Sequence, residues 1–121
     1  MLRLPPSVKI YLASQPVDLR AGHDGLFAIV RNVWQRDPYQ GHLFVFYGRR
    51  KDRVKILFME RGGLVLYYKR LEKGQFKIPM PQSDAATIDL DAFELGLLLD
   101  GVDLRTVQRP TLWVPPKAAI G

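Results

Sequence analysis

There is no cysteine among these 121 residues. Disulfides, thiolate metal sites and a cysteine nucleophile are therefore excluded, and a reducing compartment fits. Histidine is scarce. His23 and His42 are the only two, and their spacing suggests no metal site. No apolar run approaches the roughly 18 residues of a membrane span. The opening Met-Leu-Arg-Leu-Pro-Pro lacks the apolar region of a secretory signal, so a soluble cytoplasmic protein is expected. Neither a phosphate-cradling P-loop nor a dinucleotide fingerprint occurs. A metal-dependent nuclease needs several carboxylates converging on two metals. Asp84, Asp89, Asp91, Glu94, Asp100 and Asp103 mostly fall at caps or on solvent faces, while Asp52, Glu60 and Glu72 are interleaved with cations. No catalytic residue, metal ligand set or cofactor is expected.

What is present is charge of one sign in one place. Residues 49–77 hold ten Lys/Arg against three Asp/Glu, a net of +7, and the rest of the chain nets −1. A clustered excess and a pI near 9.8 are the electrostatic footprint of a nucleic-acid binder, or of a basic surface that docks on an acidic protein. The length fits one domain, and 47% hydrophobic composition can supply a core.

The stretch 42–79 carries three short apolar runs separated by turn residues, the pattern of an antiparallel meander. Strands are expected at 42–47, 54–60 and 64–70, with a fourth at 76–78. Gly62-Gly63 suits a type I′ turn, which needs φ > 0 at both central positions. That register sets Phe58 opposite Tyr67, Leu57 opposite Tyr68, Met59 opposite Leu66, and Lys55 opposite Arg70. Like charges directly opposite are destabilising, and a bound polyanion would reverse the sign of that interaction.

Before the meander, residues 8–13 alternate well enough for a strand. A helix over about 19–36 follows, with Leu26, Phe27, Val30, Val33 and Trp34 on one face and Asp18 or Asp24 as its N-cap. Trp34 reads as core packing and His42 as a structural or surface residue. Helix geometry should stop near Asp37-Pro38. Residues 79–86 read as a loop. Asp91-Ala-Phe-Glu94 is a capping-box start for a second helix over 92–100, with Gly101 at its C-terminal end. The expected fold is α+β: an antiparallel β-meander sheet of about four or five strands packed on one amphipathic helix, with a short C-terminal helix closing an edge. Residues 1–101 form the domain and 102–121 an extended, proline-containing tail. Trp113 in that tail either packs on the domain or binds a partner.

Arg49, Arg50, Lys51 and Arg53 belong to one loop, and Lys69, Arg70 and Lys73 to a second patch. In a meander both lie at the same end of the sheet, so one surface of about seven cations can assemble. With Lys55, these are the candidate phosphate contacts. Tyr47 and Tyr68 offer stacking faces, or serve as ordinary sheet aromatics.

In order along the chain stand Pro16-Val-Asp-Leu-Arg20, His23-Asp-Gly-Leu26, Asp37-Pro38, Gly41-His-Leu-Phe-Val-Phe46, Arg49-Arg50, Asp52-Arg53 and Tyr68-Lys-Arg-Leu-Glu-Lys-Gly74. Over about residues 5–101 this resembles the small accessory protein, TnpB or second open reading frame, of bacterial insertion sequences of the sixty-six type. The chain departs from that pattern at Gly62, where an acidic residue is commoner, and at His23, where an aromatic is usual. The resemblance implies an accessory factor that works beside a separate transposase, without catalytic residues of its own. The basic patch makes DNA an expected partner, through Arg49, Arg50, Lys51, Arg53, Lys55, Tyr68, Lys69, Arg70 and Lys73, and the transposase and other element-encoded proteins are the further expected partners. The competing expectation is a protein-interaction module that docks on the transposase through a sheet edge or the tail. The sequence does not separate DNA from RNA.

Overall fold

The computed structural model describes residues 4, 5 and 7–107. Five strands form one sheet: β1 (Ile10–Ala13), β2 (Leu43–Tyr47), β3 (Arg53–Glu60), β4 (Gly63–Arg70) and β5 (Thr87–Leu90), in the spatial order β4-β3-β2-β1-β5. The meander β2-β3-β4 is antiparallel as expected, and β5 adds antiparallel to β1. The pair β1–β2 is parallel. Parallel neighbours need a long crossover, and residues 14–42 supply it with helix α1 (His23–Ala28). The fold is α+β, with the short helix α2 (Ala92–Leu99) near its C-terminal end.

Both faces of the sheet are covered. β1 and β2 are buried at every position, the mark of strands with no solvent face. On one face Tyr11, Phe44, Phe46 and Leu57 pack with Leu26 and Val30 of the α1 segment, and Trp34 stacks on Phe46 at 4.8 Å. On the other, Leu12, Val45, Val54 and Ile56 pack with Phe76 and with Leu95 and Leu98 of α2. Helix α2 therefore covers the second face instead of closing an edge. Its Asp91–Glu94 capping box forms as expected, with Glu94 N–H donating to Asp91 Oδ1 at 2.8 Å and Asp91 N–H donating to Glu94 Oε1 at 3.0 Å.

Several local expectations are corrected. α1 is capped by Gly22 without a side-chain bond, so neither Asp18 nor Asp24 is its N-cap. α1 passes into a π-helical turn at Ile29–Val33, closed by Trp34 N–H donating to the Ile29 carbonyl at 2.9 Å. The wider turn shifts the apolar stripe by one position. Trp34 faces the sheet, and Val33, expected beside it, is 65% exposed. No strand forms at 76–78. Phe76 is instead a buried anchor whose N–H donates to the Lys51 carbonyl at 2.6 Å. After the expected loop, the chain recrosses to the far side of the sheet and supplies β5 next to β1, a strand with no expectation in the sequence. Residues 102–107 are not extended throughout: Leu104–Thr106 is a 3₁₀ turn, and Leu104 packs on the core. The rest of the tail, with Pro110, Trp113 and Pro115-Pro116, lies outside the described residues.

The hairpin register also differs. Glu60 faces Gly63, so Arg61-Gly62 forms the turn, with φ of 48° and 79°. Each strand residue meets a partner two positions from the expected one, which leaves every side chain on its expected face. Lys55 faces Tyr68, and the like-charged pair is Arg53 opposite Arg70. An arginine at φ 48° holds a left-handed conformation that Asn adopts more easily. Arg61→Asn is expected to raise stability by about 0.5–1 kcal/mol, read as a higher urea midpoint at unchanged m-value. A neutral or negative result would count against this register.

Candidate nucleic-acid interface

The basic residues gather at the sheet end where β2 turns into β3 and β4 runs out. The 48–52 turn is closed by Lys51 N–H donating to the Gly48 carbonyl at 3.0 Å, with Lys51 at φ 58°. It is tied to the segment after β4 by three bonds. Leu71 N–H donates to the Asp52 carbonyl at 2.8 Å, Phe76 N–H to the Lys51 carbonyl, and Gln75 Nε2 to the Arg50 carbonyl at 2.7 Å. The two expected patches are thus one bonded unit. Arg49, Arg50, Lys51, Arg70 and Lys73 are exposed, and Arg53 is half-buried.

Two cations are turned inward. Lys55 Nζ donates to the Leu19 carbonyl at 2.5 Å and to the Ala21 carbonyl at 3.2 Å. Lys69 points to the opposite face, where Nζ donates to the Leu99 carbonyl at 2.6 Å, at the C-terminus of α2. A cation there meets the negative end of the helix dipole. Both ammonium groups are engaged by backbone carbonyls, and both residues are only partly exposed. Tyr47, the other expected stacking face, is buried, and that burial pushes its phenol pKa up. Tyr68 is half exposed, with Lys55 Nζ 5.1 Å from its ring centroid.

The loop 16–20 joins this end, a neighbour that sequence reasoning about the meander missed. Val17 N–H donates to the Tyr47 carbonyl at 2.9 Å, and the Lys55 bonds hold the loop's far side. Between this loop, the 48–53 segment and Tyr68 lies a cleft of 490 Å³. On its wall Asp18 and Arg20 form a fork, with Arg20 Nη2 donating to Asp18 Oδ2 at 2.6 Å and Nε donating to Asp18 Oδ1 at 3.0 Å. The available signal was an Asp and an Arg two apart in a proline-flanked block. Arg53 and Arg70 each have a carboxylate nearby, Asp52 at 3.9 Å and Glu72 at 3.1 Å, which offsets their cross-strand repulsion. Arg53 Nε is shielded and has no hydrogen-bond partner.

The Arg20 bonds hold the Asp18 carboxyl at about 2, below its ordinary 3.8. A depressed carboxylate contributes its ion pair above the ordinary value and loses it as pH falls through the lowered one. A carboxyl-carbon NMR titration should therefore place the Asp18 midpoint near 2, and Arg20→Ala should return it toward 3.8. A wild-type midpoint at the ordinary value would show that the fork does not persist in solution.

His42 Nδ1 accepts from Lys9 N–H at 3.0 Å, a structural use. His23 is exposed on α1. Among the described residues no group of three His, Asp or Glu side chains converges as a metal site, and no helix is long and apolar enough to cross a membrane.

The family model described as IS66 Orf2 like protein matches residues 8–109, and the chain belongs to that family. This makes it an accessory-type protein of bacterial insertion sequences, from a family not known as one of enzymes. It is similar to the uncharacterized protein y4jC of Sinorhizobium fredii, 38% identical over 93% of this chain and 94% of the relative. It is also similar to y4hO of the same organism, 32% identical over 97% and 98%. No solved structure matches it.

Proposed function

We propose that this chain is a non-catalytic accessory protein of insertion-sequence DNA transposition that binds nucleic acid through the basic sheet end. The observation that carries the reading is the bonding of the 48–52 turn to the segment after β4, which ties together the segments that bear Arg49, Arg50, Lys51, Arg53, Arg70 and Lys73. Their charges neutralise phosphates, while Lys55 and Lys69 hold the backbone around them. Binding of this kind releases counterions, so it weakens steeply with salt. The test is fluorescence-anisotropy binding to the element's terminal DNA, a scrambled duplex and a single strand over a salt series. Preference for the terminal DNA identifies an end-recognition factor. Equal, salt-dependent binding identifies a charge clamp. No binding at near-physiological salt removes the reading.

A second reading has its own observation. β4 is an eight-residue edge strand whose outer side pairs with nothing among the described residues, and Tyr67 on it is 38% exposed. Such an edge can accept a strand from a partner, here the element's transposase. Capture of the transposase by nuclease-treated protein favours this reading, and failure of that capture counts against it.

A further inference from the structure

The cleft beside Tyr68 differs from the open basic surface around it, and the difference bears on what kind of nucleic acid enters. A duplex presents phosphates to a protein and keeps its bases stacked inside. Proteins that hold duplex backbone neutralise many phosphates over a broad surface. The cleft is concave, and its 490 Å³ fall within the roughly 300–1,000 Å³ of small-ligand sites. Its wall holds four arginines (Arg20, Arg49, Arg50, Arg53) against two aspartates (Asp18, Asp52), a net charge of +2. That charge matches one or two phosphates, not a tract of them.

An aromatic ring also lies on its border. Tyr68 stands on a strand, not on a mobile loop tip, and its register opposite Lys55 is set by the β3–β4 ladder. The Lys55 ammonium sits over one face of the ring, itself fixed by two carbonyls, and half of the residue remains open to solvent. A tyrosine held this way is a platform for a flat partner. The arginines supply the second half of the recognition. The Asp18 fork occupies Arg20, but Arg49 and Arg50 have no carboxylate partner among the described residues. Arg53 also lines the cleft; its Nε is shielded, 3.9 Å from Asp52 Oδ1, so the rest of its guanidinium is what an anion would meet. Donors for an anion and a face for a base thus border the same cavity.

We infer that this cleft takes one unstacked nucleotide of a single strand, with its base against the open face of Tyr68 and its phosphate between Arg49, Arg50 and Arg53. The inference rests on the nucleic-acid reading above and narrows it: the cleft discriminates strand state, while the surrounding cations supply affinity for any polyanion. Deoxyribo- and ribonucleotides share the base and the phosphate, so DNA and RNA are separate arms of the test.

The experiment uses the full chain and four fluorescein-labelled probes of one sequence: a DNA strand, its blunt duplex, the same DNA strand with abasic sites, and an RNA strand. Wild type, Tyr68→Ala and Tyr68→Phe are compared by anisotropy, with thermal unfolding measured on each. The DNA strand should bind more tightly than the duplex and the abasic strand. Tyr68→Ala should weaken strand binding about tenfold, the scale of one base–aromatic stack, and leave duplex binding unchanged. Tyr68→Phe keeps the ring and should bind as wild type does. An RNA strand bound as tightly and weakened equally by Tyr68→Ala upholds the site and extends it to either nucleic acid. Strand and duplex bound alike, with Tyr68→Ala changing neither, overturns this inference and leaves the phosphate-binding surface standing. Binding of no probe removes that surface as well.

Discussion

Phe46→Ala is expected to lower folding stability by about 3–5 kcal/mol, enough to unfold much of a marginal domain. Phe46 is fully buried in β2, the middle strand of the sheet, and Trp34 stacks on it at 4.8 Å with rings 15° apart. Truncation removes the ring and leaves a cavity that neighbours in a sheet cannot close. Trp34 also loses the partner that its π-helical turn directs it toward, and the next residue, Tyr47, has the carbonyl that receives Val17 N–H. The loop 16–20 should loosen with the core. Urea denaturation followed by tryptophan fluorescence measures both the loss and the changed Trp34 environment. A loss below about 1 kcal/mol would mean that the α1 segment does not pack on this face as described.

The second large effect is on binding. Changing Arg49, Arg50 and Arg53 together to Ala should weaken duplex binding about a hundredfold, at about 1 kcal/mol for each phosphate contact. The slope of log K against log salt should fall by about 2 to 3, since each contact with duplex DNA contributes about 0.9. The weakening should be uniform across sequences, because phosphate contacts carry no base information. Stability should change little. Arg49 and Arg50 are exposed, and loss of Arg53 also removes its repulsion with Arg70 across the β3–β4 ladder. An unchanged slope in a folded variant would remove these arginines from the interface.

Much of this architecture is local, and local chemistry is legible in a sequence. The Asp91–Glu94 capping box forms because both partners lie within one turn. The strands of the meander appear where β-branched and aromatic runs stand between turn residues, each within one residue of its expected start. The gathering of basic residues at one sheet end follows from meander connectivity alone. The hairpin register is not legible in the same way. Gly62-Gly63 and Arg61-Gly62 both satisfy a type I′ turn, and the choice lies in how β3 and β4 pair along eight residues. Both registers keep the same side chains on the same face, so hydrophobic alternation could not separate them.

Residues 8–13 read as an alternating strand and the sheet as packed on one helix, whereas β1 and β2 are buried at every position and covered on both faces. By itself the sequence determined the meander, the second helix with its cap and the charge concentrated in residues 49–77. Only the tertiary structure decided that β1 lies parallel to β2, that β5 crosses to the far edge, and that α2 covers the second face. It also decided the site's membership. The loop 16–20 is brought to the basic end from some thirty positions away by the Val17 and Lys55 bonds. The Lys55 and Lys69 ammonium groups are engaged by carbonyls far along the chain. The physical reason is one and the same. Propensity, capping and alternation act within a few residues, whereas the direction of a lysine ammonium depends on which backbone carbonyl the folded chain leaves unpaired beside it.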